Sequence, residues 1–456
     1  MRLLRFLVAA LFAFPFAAPH ASGSTQAGGA WVFTGRVHDG GTGPAREAEV
    51  VVQGERIRCV AAPGGCDLPA GARRIVAPDA TLIPGLIDLH VHAREGYAEV
   101  FIKGGVTSVR DANNSFATIE GIRRMPGAPR VFASGPLLDG PGSVLAGMSE
   151  KEGAPGAFPI AEQELLLVAT PEDAVRAVDL LADAGAQHVK LYELMPPAAF
   201  AAAVGRARER GLPVMVDLGL AVTRGLDGAE VDALQAAQAG VASIEHASGV
   251  ALAYRRLGGD PEAQELDAAL LEHIAGVLVE ADVAVVPSLV GIRAMASEAY
   301  PAAADYPLVA ELDPGLTGWW QASHAAAEGK RERFAQVLHL HGAFLRAFIA
   351  RGGRVGAGTD VPALPMLVPG DALRHEIALL AGHGLSPAEA LHAATGGAAR
   401  ILGSTEVGRV EAGRYADLVL VQGDPSRVPM AAGAVLAVWK GGTLVHGAPP
   451  TPVEAP

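Results

Sequence analysis

Apolar residues in this chain gather into short runs, several of which carry an ionisable residue at or near their end. Eight runs follow one another: "GLIDLHVH", "GVTSVRD", "RVFAS", "HVKLY", "PVMVDL", "ASIEH", "VAVVPSL" and "RVGAGTD". Most are rich in Val, Ile or Leu and too short for an ordinary helix, which is the pattern of buried strands. Between and after them, stretches such as "EDAVRAVDLLADAG" and "SPAEALHAATGGAARILG" carry apolar residues at three- and four-residue spacing and predict packing helices. Strand and helix in alternation predict parallel β/α units, and eight units predict a closed barrel.

The two ends read differently. "AEVVVQGERIRCV" predicts two strands around a turn at Gly54, and "YADLVLVQGD" and "AVLAVWKGGTLVHG" predict further strands with glycine turns. The stretch from Gly291 to Gly329, rich in Ala and Pro and carrying Trp319 and Trp320, is too long for an ordinary connection. It is expected to serve as a lid over the barrel mouth.

With 456 residues, half of them hydrophobic, the chain can bury a large core. The opening "MRLLRFLVAALFAFPFAAPHASGS" sets Arg2 and Arg5 before an apolar run interrupted by Pro15. That layout predicts a signal peptide over residues 1–23 and a secreted or periplasmic protein, with an uncleaved anchor as the alternative. Loss of Arg2 and Arg5 would take the formal charge from -13 to -15. So acidic a chain has no basic face for phosphates, which excludes a nucleic-acid partner. Cys59 and Cys66 flank a Pro-Gly-Gly turn and are expected to pair in an oxidising compartment, adding about 2 to 3 kcal/mol by the chain-entropy model. The alternative is two buried thiols.

The candidate chemistry sits at the strand ends. Catalytic residues of a β/α barrel collect at the C-terminal ends of its strands, where His90, His92, Asp111, Lys190, Asp217, His246 and Asp360 stand. His90 and His92 alternate onto one face about 6 to 7 Å apart along the backbone, so both imidazoles can meet one divalent metal. His339 and His341 lie instead in the helical stretch "RFAQVLHLHGAFLRAFIA", where two residues turn about 200°, and predict helix surface. Asp360 in "GAGTDVP" and His246 in "SIEHASG" offer further ligands. A carboxylate at that place can also take a proton from water and pass it to a leaving amine. The serine-nucleophile elbow, the phosphate loop and a full dinucleotide glycine fingerprint are absent.

Taken in order, "LIPGLIDLHVH", "GVTSVRD", "IEH", "GTD", "LSPAEALHAATGGAARILG" and "VGRVEAGRYADLVLVQGDP" resemble the metal-dependent amidohydrolase superfamily. The nearest branch holds imidazolonepropionase-like and prolidase-like (Xaa-Pro dipeptidase-like) enzymes, and the likeness covers nearly all of the chain after the leader. It implies an α/β fold: a (β/α)8 TIM barrel over residues 85–406, with a small β-sandwich domain built from residues 24–84 and 407–456. It implies zinc, one or two per chain, held by His90, His92, Lys190, Asp217, His246 and Asp360. Lys190 matches a lysine that such proteins often carboxylate, which turns a repelling ammonium into an anion that can bridge two metals. The implied reaction is cleavage of an amide bond, in an N-acyl amino acid or dipeptide, by a metal-bound hydroxide. Asp360 would be the proton shuttle, and His246 and Tyr192 would hold substrate oxygens. Packing is the alternative for Tyr192, and core packing is the expectation for His188. Arg110, Arg224 and the tryptophan pair are weighed as contacts to a substrate carboxylate or apolar group, with structural roles as the alternative. A small-molecule substrate is the expected partner, no stable membrane anchor is expected, and a homo-oligomer is left open.

One position departs from that pattern. "GLPVMVDLGL" puts Asp217 where the fifth strand normally ends in histidine. Asp217 can ligate through oxygen at about 2.0 to 2.2 Å. Alternatively it pairs with an uncarboxylated Lys190, leaving one metal on His90, His92 and Asp360, or the site is degenerate and only binds a ligand. Hydrolysis of an ester, lactone or cyclic amide is a further variant of the same chemistry.

Overall fold

The computed structural model describes residues 29–219 and 229–449. The expected leader over residues 1–23 and Arg224 lie outside the described residues. Seven strands of the barrel form where the apolar runs predict them: Leu86–Val91, Val106–Asp111, Arg130–Ala133, Val189–Leu191, Val214–Val216, Ser243–Glu245 and Ala284–Val286. The eighth run, residues 354–361, closes the ring through single bridges, Val285 to Val355 and Val91 to Val361. The Gly356 amide donates to Val285 O at 2.9 Å and the Leu89 amide to Ala357 O at 3.0 Å. Its glycines explain how it fits: a Cβ on Gly356 would lie 2.4 Å from Leu89 Cδ1, and one on Gly358 2.5 Å from Val286 Cγ1. On the third-to-fourth side the Gln187 amide reaches Ala133 O at 2.9 Å. There the chain also makes the short strands Leu137–Asp139, Glu152–Gly153 and Leu165–Leu167 before the fourth strand.

Helices cover the outside as their apolar spacing predicts. Pro171–Asp183 opens on a capping box from Thr170 and buries Ala174, Ala177, Val178 and Leu181. The stretch after Ser386 differs from the single helix its spacing suggests. It breaks at Thr395, whose backbone is non-helical at φ -135° and ψ -104°, into Pro387–Ala393 and Gly396–Ile401, and Gly396 just after the break lets the terminal segment approach, since a Cβ there would come 2.4 Å from Gly40 O.

Strands from both chain ends form one seven-stranded sheet, with Arg73–Pro84 at its centre beside Leu418–Gln422. Flat, the strand Trp31–Val37 and the strand Val435–Lys440 would stand three spacings apart, about 14 Å. Yet the rings of Trp31 and Trp439 are 5.6 Å apart, and those of Phe33 and Trp439 4.9 Å. The sheet therefore folds over on itself around a core of its own as a small sandwich. Cys59 and Cys66 are bonded at its edge, with Cα atoms 6.0 Å apart.

The segment expected to be a lid is folded. It contributes the helices Leu289–Ala296 and Pro314–Ala326. Trp320 is fully buried, and its Nε1–H donates to Pro362 O at 3.0 Å, two residues past Asp360. The segment is thereby pinned to the loop that follows the eighth strand. Trp320 takes the structural role, and Trp319 is partly buried against the same core.

Candidate metal centre

Three of the expected ligands meet at the C-terminal mouth. One ligand atom from each of His90, His246 and Asp360 lies within 4.8 Å of the others. His90 Nε2 is 3.5 Å from Asp360 Oδ1, close to the roughly 3.4 Å between two ligands at zinc distances in a tetrahedral site. His92 stands beside this group, its Nε2 3.1 Å from Asp360 Oδ1. Asp217 flanks it on the other side, with Oδ2 3.7 Å from His246 Nε2. Two imidazoles and a carboxylate around one point, with a third imidazole and a second carboxylate adjoining, form a nitrogen and oxygen donor set that suits a divalent metal.

Strand alternation alone would not assemble this group. Ser243 and Glu245 both bond Arg110 across the barrel, so that face of the sixth strand looks inward and His246, next in line, would look out. On the eighth strand Thr359 faces Asp88 inside, and Asp360 would look out in the same way. Both residues adopt the left-handed region, φ 58° at His246 and φ 67° at Asp360, which turns their side chains back over the barrel. Such a conformation costs a non-glycine residue about 1 to 3 kcal/mol and is found where function demands it. Ser288, after the seventh strand, shares it at φ 47°, with its buried hydroxyl lacking a hydrogen-bond partner.

Lys190 reaches the same interior from the fourth strand and is 1% exposed. Among the described residues its Nζ has no hydrogen-bond partner, so Asp217 acts on it through charge and not through a hydrogen bond. Burial lowers its pKa despite the nearby charges of Asp217, Glu245 and Asp360. A buried amine driven toward its neutral form has the chemistry needed to take up carbon dioxide. Tyr192 lies with its ring 5.8 Å from Lys190 Nζ and packs against the cluster of Leu137, Leu145 and Leu165. His188 is buried one layer down, with Nε2 donating to Asp111 O at 3.1 Å. Asp111 itself accepts from the Ala93 amide at 2.8 Å and thereby fixes the turn after His92.

The charges settle around Asp360. Burial alone would raise its pKa, but His246, His92 and Lys190 outweigh that and hold the carboxyl below its ordinary range. His90 is driven well below the usual imidazole value by burial, with Lys190 and His246 adding to the shift. Asp88, two residues earlier on the first strand, accepts from the Thr359 amide at 3.0 Å and the Thr359 hydroxyl at 2.7 Å. It ties the first strand to the eighth just beneath Asp360, and burial pushes it up to about 7.

Some of the groups that build the site carry no sequence signal that singles them out. Glu245 in "IEH" sits beside the expected ligand and is fully buried against His90. Arg110, weighed as a substrate contact, is 3% exposed and spends its guanidinium on Leu89, Ser243 and Glu245. His341 departs from the expected helix surface. It is 3% exposed on the helix Arg331–Ala350, with Nδ1 lacking a hydrogen-bond partner among the described residues, while His339 is exposed and bonds Gln264 O. That helix packs against Ala268–Glu280, Leu289–Ala296 and Val250–Arg256, so more of its circumference is covered than an amphipathic pattern implies.

A closed β/α barrel with imidazoles and a carboxylate gathered at its C-terminal mouth places the chain in the class of barrel proteins whose functional residues collect at the strand ends. Within that class the family is explicit: the Amidohydrolase family profile matches residues 81–445, and the chain belongs to that family. An imidazolonepropionase of Anaeromyxobacter sp. (strain K) is 41% identical over 101 residues, which is 20% of this chain and 24% of that protein. The chain thus matches about a quarter of that relative's length. Among solved structures, a Xaa-Pro dipeptidase with methionine bound in its active site aligns with a TM-score of 0.66 at 21% identity, over 92% of this chain and 100% of the other. An ochratoxinase of A. niger aligns at 0.66 with 19% identity, over 93% and 97%. At such identities the structural likeness speaks for the fold.

Proposed function

We propose that the protein is an exported, metal-dependent hydrolase that cleaves an amide bond in an N-acyl amino acid or a dipeptide. The observation that carries this reading is the cluster of His90, His246 and Asp360 at the barrel mouth with the amine of Lys190 buried beside it, without a hydrogen bond among the described residues. His90, His92 and Asp360 would hold one divalent metal, most simply zinc, and a carboxylated Lys190 with Asp217 and His246 a second. When bound, the metal supplies Lewis acidity at the scissile carbonyl.

The chain's own residues do the rest. Asp360, kept ionised by the imidazoles around it, takes the proton of the attacking water on a carboxylate oxygen and hands it to the departing nitrogen. His246 is placed to hydrogen-bond the carbonyl oxygen if it is free of metal. Burial of these groups away from bulk water strengthens each interaction. The leader "MRLLRFLVAALFAFPFAAPHASGS" and the bonded Cys59–Cys66 pair support export.

Elemental analysis of protein purified without chelator, with and without bicarbonate, tests the reading. Near two metals per chain with bicarbonate, falling toward one in Lys190→Met, supports the carboxylated lysine; near one in both conditions limits the site to a mononuclear centre. A panel of N-acyl amino acids and dipeptides then tests turnover. Absence of metal after supplementation, with no substrate turned over, would leave a ligand-binding protein on the same fold.

A further inference from the structure

We infer that Glu245 and Arg110 are positioning residues that decide which ring nitrogen His90 presents at the metal centre. The inference rests on the metal-dependent reading above and deepens it.

Glu245 ends the sixth strand fully buried, with Oε2 2.8 Å from His90 Nδ1. Arg110 crosses the barrel from the second strand, and its Nη2 donates to both carboxylate oxygens at 2.8 and 2.9 Å. The Ser243 hydroxyl adds a bond to Oε1 at 2.6 Å. The guanidinium is itself fixed, since Nε donates to Leu89 O at 2.6 Å, next to His90, and Nη1 to the Ser243 hydroxyl at 3.1 Å. A buried carboxylate is costly alone, and this fork both neutralises it and sets its plane.

The consequence for His90 follows from donor and acceptor roles. A carboxylate only accepts, so the single proton of the neutral ring sits on Nδ1 and the lone pair on Nε2. That lone pair faces Asp360 Oδ1 at 3.5 Å. Two electron-rich atoms turned toward each other inside a protein repel unless a cation stands between them. Glu245 thus prepares the nitrogen, and the strained turn at Asp360 prepares the oxygen.

The chain of contacts also explains why adjacent polar residues, Glu245 and His246, occupy one strand end. Alternation sends Glu245 beneath the site to orient one imidazole, and the left-handed turn at His246 brings the second imidazole over it, the two rings 4.5 Å apart.

The test uses the full chain labelled with nitrogen-15 histidine, first without metal. Wild type is expected to show His90 as the Nδ1–H tautomer, and Glu245→Gln to lose that preference. Zinc affinity, read by competition with a chromophoric chelator, should fall about 10- to 100-fold in Glu245→Gln, and less in Arg110→Lys, which keeps the charge without the fork. A folded Glu245→Gln protein with wild-type zinc affinity would overturn the inference, as would wild-type His90 protonated on Nε2. The tautomer of the wild-type protein decides the matter even where Glu245→Gln fails to fold. A wild type that shows the tautomer but binds no zinc would sink the metal reading instead.

Discussion

His92 Nε2 lies 3.1 Å from Asp360 Oδ1, joining the end of the first barrel strand to the end of the eighth. The carboxylate therefore already interacts with the imidazoles it would share a metal with, and it is held ionised by them. Asp360→Asn keeps the shape and removes the base. Turnover of the best substrate from the panel should fall about 10²- to 10⁴-fold while the melting temperature changes little. Unchanged turnover would remove Asp360 from the proton-transfer step.

His341, on the helix Arg331–Ala350, makes the pH dependence of stability testable: burial depresses its imidazole and the neighbouring His246 adds to the shift. Burial lowers its pKa to about 4 in the folded protein, against 6.5 in the unfolded chain. Between those values the unfolded state binds the proton and the folded state does not. Stability is thus full above about pH 6.5 and is lost as the pH falls toward 4, by about 3 kcal/mol in all. His188, lowered to about 3 by burial, adds a loss of the same sign. In urea titrations from pH 7 to 4.5, His341→Leu should lose stability with a slope smaller by one proton. Parallel curves for the two proteins would refute the assignment.

Gly358, on the eighth run, packs between Val286 of the seventh strand and His90 of the first. A Cβ there would meet Val286 Cγ1 at 2.5 Å and His90 Cβ at 3.0 Å. Gly358→Ala should cost about 1 to 3 kcal/mol through overpacking and weaken zinc binding by displacing His90. Gly205, in the helix Pro197–Glu209 with nothing within 4 Å of its added Cβ, is the control. Gly205→Ala should raise stability by up to about 1 kcal/mol. Thermal melts of both variants check the contrast, and an undisturbed Gly358→Ala would show that the strands can part.

The bond between Cys59 and Cys66 closes a short loop at the edge of the terminal sheet. Chain entropy assigns it about 2 to 3 kcal/mol. A reducing agent, or Cys59→Ser with Cys66→Ser, should lower the urea midpoint accordingly and leave metal content unchanged. A midpoint indifferent to reduction would mean that the sheet's own core, with Trp31 and Trp439 at its centre, carries the stability by itself.

The architecture was legible because its signals are local. Runs such as "GLIDLHVH" and "SIEH" declare a strand by composition and declare a site by the ionisable residue at their end. The H-x-H spacing placed both imidazoles on one face before any tertiary contact was known. The order of these runs specified the barrel, the strands at the two ends and the family.

Tertiary structure decided what depends on residues far apart in the chain. Whether Lys190 would pair with Asp217 could not be read from either strand, and the two do not touch through a hydrogen bond. His246 and Asp360 are legible as strand-end ligands, but strand alternation alone does not bring them to the site; the left-handed backbone at the ends of strands six and eight turns them in. Glu245 carries no local signal, because its role depends on Arg110, 135 positions away, which crosses the barrel to hold it against His90. His341 read as surface because a helical wheel shows one helix and not the three that cover it. Periodicity reports which face of an element is apolar, a property of neighbours along the chain. Hydrogen bonds, charge and strain at a barrel mouth belong to the closed ring, and exist only once the eighth strand meets the first.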